Sequence, residues 1–118
     1  MKRTHLLPQL LLTAALAAPL AAQAHDFPTS GRVEYVLECM QKHDSKYEYL
    51  YKCSCVIDEI AKAMPYEDYV TMSTALRNQT LAGERGALFR DPVPVKEMAN
   101  KYKEIQASAS KACRVPQR

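Results

Sequence analysis

The 118-residue sequence predicts an all-α fold: a small irregular bundle of about four helices stapled by two disulfides. Three observations carry this. Apolar residues recur at the helical period in successive segments, and no segment alternates apolar and polar residues as a half-buried strand does. All four cysteines, Cys39, Cys53, Cys55 and Cys113, lie downstream of a leader-like N-terminus, and an even cysteine count in a small exported chain implies bridges rather than free thiols.

The leader comes first in the chain. Met1-Lys2-Arg3 is a positive start, Leu6 to Leu20 is largely apolar, and Ala22-Gln23-Ala24 is an A-x-A cleavage site. The apolar run holds two prolines and is shorter than the roughly 20 residues needed to span a bilayer, so a cleaved signal peptide over 1–24 is expected rather than an anchor. The mature chain then begins at His25, residues 25–118 form one domain, and the expected location is the periplasm. A domain this size has a modest core and gains from a covalent staple.

Helix 1 is expected from Ser30, a plausible N-cap, to about His43, with Val33, Val36, Leu37 and Met40 as its apolar stripe. Ser45 and Glu48 have the S-x-x-E spacing of a capping box and are read as the start of helix 2. Its stripe is Tyr49/Leu50, Cys53, Val56/Ile57, Ile60 and Met64, and Pro65 ends it. Helix 3 follows from Tyr66 to about Gln79 on Tyr66, Tyr69, Val70 and Leu76. Gly83 and Gly86, then Asp91-Pro92-Val93-Pro94, read as a loop. Helix 4 runs from about Pro94 to Cys113, along Val95, Met98/Ala99, Tyr102, Ile105, Ala109 and Ala112/Cys113.

Cys53 and Cys55 sit two apart on one helix, about 200° around its axis, so they cannot join each other without unwinding it. Two connectivities remain. Cys53 and Cys113 lie inside apolar stripes while Cys39 and Cys55 lie off theirs, which favours Cys53–Cys113 with Cys39–Cys55; Cys39–Cys53 with Cys55–Cys113 is the alternative.

Loss of Lys2 and Arg3 with the leader lowers the net charge from +3 to +1, 14 basic against 13 acidic residues. Interspersed charge near neutrality argues against a nucleic-acid or anionic-membrane binder. No nucleophile elbow or other mechanistic motif is present, so no enzymatic activity is expected. The Cys53-Ser54-Cys55 pair has the ligand types of a redox dithiol or a soft-metal site with Met40, Met64, Met72 or Met98, but structural bridges explain it more simply. A mature N-terminal His25, joined by His43, would chelate copper and offers a copper-carrier reading.

The carboxylates are the stronger candidates. Glu38–Lys42, Glu48–Lys52, Asp58–Lys62 and Glu97–Lys101 are spaced as helical ion pairs. Glu34, Glu67 and Asp68 lack such a lysine, and Glu34 faces Glu38 one turn on. An antiparallel return of helix 2 brings the start of helix 3 to the start of helix 1, which predicts Glu34, Glu38, Glu67 and Asp68 at one end of the bundle. Four carboxylates there would hold a hard cation through oxygen, and an incompletely coordinated ion would permit a metal-bridged homodimer. The competing explanation for Glu67 and Asp68 is that acids in a first helical turn favour the helix dipole. Tyr47, Tyr49 and Tyr51, at spacing two, cannot all be buried and offer a partner surface.

The stretch Tyr51-Lys52-Cys53-Ser54-Cys55-Val56-Ile57-Asp58-Glu59-Ile60, followed by Met64-Pro65-Tyr66-Glu67-Asp68-Tyr69, resembles a landiscernin-like group of small four-cysteine periplasmic proteins. These are associated with quinoprotein (PQQ) alcohol dehydrogenases and lanthanide uptake in methylotrophic bacteria. The resemblance spans roughly 33–70 plus the distant Cys113. It implies a helical, non-enzymatic periplasmic accessory protein that binds a lanthanide(III) ion or acts as a metallochaperone. Its implied partners are a periplasmic quinoprotein dehydrogenase or a metal-uptake component. It carries over no ligand positions; the carboxylate set is read from this chain. A metal-free interaction or chaperone-like role beside such a dehydrogenase is the alternative.

Overall fold

The computed structural model describes residues 26–117. The signal peptide expected over 1–24, its cleavage site and the N-terminal chelate at His25 lie outside the described residues.

Five helices follow one another: α1 (Thr29–Gln41), α2 (Glu48–Ala63), α3 (Tyr66–Asn78), α4 (Gly83–Arg90) and α5 (Val93–Ala112), with no strand among the described residues. α5 lies along both α2 and α3, α1 packs on α2, and α4 rests against the α3 and α5 ends. The stripe expected on α2 is the centre of the core: Cys53, Val56, Ile57 and Ile60 are all but inaccessible, with Tyr49 and Met64 buried at the two ends. The stripe expected on the last helix is buried at Ala99, Tyr102, Ala109 and Cys113.

Each boundary has a local cause. Pro28 and Pro65, both extended, precede the first residues of α1 and α3. A proline there lacks only an N–H that the helix start leaves orphaned anyway. At α3 one orphaned donor finds a partner from outside: the Tyr66 N–H donates to Asp26 Oδ2 at 2.8 Å. α5 ends in a Schellman turn, with Arg114 at φ 56°, its N–H donating to Lys111 O and the Val115 N–H to Ser110 O. Val115 is buried, as that motif's apolar contact requires.

Four expectations are corrected. α1 buries Gly31, Tyr35, Val36 and Cys39, while Val33 is 49 % and Leu37 55 % exposed, so the buried stripe is rotated from the most apolar one. That rotation decides the disulfides. Cys39 faces α2 and bonds Cys53, and Cys55, turned to the other side of α2, bonds Cys113; the favoured pairing Cys53–Cys113 with Cys39–Cys55 does not form. Ser45 does not cap α2. Asp44 and Ser45 take positive φ, and the Ser45 N–H donates back to Met40 O, closing α1 instead. The Gly83–Arg90 stretch is helical rather than a loop, because Gly86 is its one buried residue and packs against the Leu81 backbone; an added Cβ would lie 3.0 Å from it.

Candidate functional site

The ends of α1 and α3 meet as expected. Asp26 caps Tyr66, the Phe27 ring lies 5.2 Å from Tyr66 and 5.1 Å from Tyr69, and Gly31 leaves room for the Tyr66 ring. From there α1 and α3 run side by side in the same direction. Glu38, about two and a half turns along α1, therefore meets Arg77 at the far end of α3, guanidinium to carboxylate at 2.7 Å. Arg77 lies ten residues beyond Glu67, about 15 Å along a helix axis. Glu67 and Asp68 stand exposed in the first turn of α3, and Glu34 is exposed on α1. Among the described residues no group of three or more His, Cys, Asp or Glu side chains is arranged to hold a metal ion.

Arg77 is the residue that charge spacing along single helices could not single out, because its partner is on another helix. Glu48–Lys52 does pair within α2, at 3.7 Å. Asp58 instead pairs with Arg32 of α1, and Lys62 with Glu59.

Beneath the Glu38–Arg77 bridge lies a layer of tyrosines. Tyr69 and Tyr102 meet edge to face at 6.0 Å, and Tyr35 accepts a hydrogen bond from Gln106 Nε2 at 3.4 Å. Burial pushes the Tyr69 phenol up to about 12, with the nearby Arg77 pulling the other way, and burial raises Tyr35 and Tyr102 as well. These hydroxyls are protonated donors at neutral pH. His43 is buried at the end of α1, stacked on Tyr49 at 4.1 Å with the rings nearly parallel.

On its other flank α1 forms an apolar groove with α2. Val33, Val36 and Leu37 supply one wall, and Leu50, Ser54 and Ile57 the other, around a volume of about 260 Å3. The Ser54 hydroxyl is spent on Leu50 O at 2.6 Å, so this wall offers no unmet polar group. The Arg32–Asp58 ion pair closes one end. Near Leu50, Tyr47 and Tyr51 stand more than 60 % exposed, their rings in edge contact and their hydroxyls 3.3 Å apart.

The chain matches no family model, no curated protein and no solved structure. No helix among the described residues is long and apolar enough to cross a membrane. The two closed bridges, with no free cysteine beside them, are those of a protein in an oxidising environment.

Proposed function

We propose that this protein is a periplasmic, non-enzymatic accessory protein that holds an amphipathic helix of a partner protein in the groove between α1 and α2. One observation carries the reading: Val33 and Leu37, two of the most apolar residues of α1, are turned out of the core into a groove whose walls are mostly apolar. The fold has no use for them there. Two antiparallel helices, with apolar residues one turn apart on the α1 wall and two turns apart on the α2 wall, form the seat that a third helix fills with anchors at i, i+3 or i+4. Covering the half of Val33 and of Leu37 that is still exposed is worth about 1 kcal/mol each. Exposed, rigid tyrosines beside the groove suit a rim that makes both apolar and hydrogen-bonded contact.

The lanthanide expectation gains less support. Glu38 is committed to Arg77 and stands far along α3 from Glu67 and Asp68, leaving no shared set of four carboxylates. A periplasmic dehydrogenase, of the kind the resemblance implies, is the first partner to test.

The test places a photo-crosslinking amino acid at position 37, and a second at the exposed Glu97 as control, in the exported protein. The expected product is a crosslink from position 37 to a peptide whose apolar residues fall on one helical face, lost when Val33 is replaced by lysine. Equal crosslinking from both positions, or a product consisting only of a second copy of this chain, overturns the reading.

A further inference from the structure

On the flank of α1 away from the groove, a second opening separates α1 from the α3–α5 pair. Its volume is about 360 Å3, within the range of small-ligand sites. One polar bridge crosses it, from Arg77 to Glu38 at 2.7 Å. At the opening itself, the contact from α1 to α3 is this ion pair.

The lining is rich in donors. Arg77 of α3 and Lys103 of α5 face the opening together with Lys42, which follows α1, and Glu38 is its single carboxylate. The buried Tyr102 contributes a phenol that stays protonated, and Gln106 an amide. Arg77 makes one hydrogen bond to Glu38, which leaves most of its five N–H donors for another acceptor. Arg77 and Lys103 against the one carboxylate of Glu38 leave the opening with an excess of positive charge that an anion would balance. The nature of the anion follows from what already sits there: the chain's own carboxylate, on a guanidinium whose planar fork fits carboxylates.

We propose that this opening is a binding site for a small organic carboxylate, which takes the place of Glu38 on Arg77 and is held on its other side by Lys103. Glu38 is then an internal competitor that occupies the guanidinium until the ligand arrives. The inference uses none of the groove residues and stands or falls separately from the helix-docking reading.

Isothermal titration of the oxidised protein with succinate, and separately with inorganic phosphate, tests it. Succinate is expected to saturate below about 10 mM, with phosphate at least about tenfold weaker. Arg77→Gln and Lys103→Gln are each expected to weaken succinate about tenfold. Glu38→Gln, by removing the competitor, is expected to tighten succinate several-fold and to leave phosphate at least about tenfold weaker than succinate, whereas a general gain in positive charge would tighten both alike. No saturation with succinate, phosphate binding as tightly as succinate, or an unchanged or weaker affinity in Glu38→Gln overturns the assignment. Exposed Lys103 carries no structural duty, so its variant keeps the test valid if Arg77→Gln fails to fold.

Discussion

Cys53 and Cys55, separated by one serine, tie α2 to two different helices: Cys53 to Cys39 of α1 and Cys55 to Cys113 at the end of α5. The half-turn between them makes α2 the strut to which both ends of the described chain are fastened. The bridges differ in the loop each closes, with separations of 14 and 58 residues. In the chain-entropy account these are worth about 3 and about 4 kcal/mol. Cys55→Ala/Cys113→Ala is expected to lose about 1 kcal/mol more than Cys39→Ala/Cys53→Ala on that account, as read by urea unfolding; the reverse order would show that packing around the fully buried Cys53 outweighs loop length.

Alkali should weaken the fold through the tyrosine layer. Tyr69 ionises at about 12 when folded against about 10 in an unfolded chain. Between those values the folded state retains a proton that the unfolded state has lost, so stability is full below about pH 10 and falls as pH rises toward 12. Urea midpoints at pH 9 and pH 11 should show this decline, and Tyr69→Phe should make it shallower. An unchanged slope in Tyr69→Phe would assign the effect to Tyr35 and Tyr102.

The apolar groove predicts an unusual indifference. Val33→Ser and Leu37→Ser should each alter unfolding free energy by no more than about 0.5 kcal/mol, because both side chains are half exposed and fill no interior space. Ile57→Ala, at the groove floor but fully buried, should cost about 2–5 kcal/mol in the same assay.

Asp26 should matter more than its exposed position suggests. It satisfies an orphaned N–H at the start of α3 from a residue outside that helix. Asp26→Ala is expected to cost about 1 kcal/mol, and Asp26→Asn much less, since an amide oxygen accepts the same bond.

Glu67 and Asp68 are placed to favour the α3 dipole. Glu67→Gln with Asp68→Asn is expected to cost about 0.3–1 kcal/mol per residue at low salt, and less as salt is added. Terbium luminescence on the same pair of proteins separates this from a cation site: saturable emission from the parent, abolished in the double variant, would support the hard-metal reading.

How much was legible follows a physical division. α2 and α5 are buried along their most apolar faces, so periodicity found Cys53, Val56, Ile60, Tyr102 and Ala109 directly. α1 violates that rule. Its apolar Val33 and Leu37 face outward while Gly31, Tyr35 and Cys39 face inward, and the disulfide preference inherited the error. α4 was hidden because glycine usually marks a loop, whereas Gly86 serves close packing on Leu81. The four carboxylates were grouped by end of the bundle. That argument placed the starts of α1 and α3 together correctly, but it could not show that parallel helices carry Glu38 away to Arg77. Cross-helix partners such as Glu38–Arg77 and Asp26–Tyr66 leave no local spacing to read.

The longer bridge makes the chain from Cys55 to Cys113 a closed ring that contains the second half of α2 and all of α3, α4 and α5. A single protease cut anywhere in that ring, including the exposed Asp91-Pro92 junction, would not release a fragment. The nicked protein would keep its mass apart from one added water and fall into two pieces only on reduction.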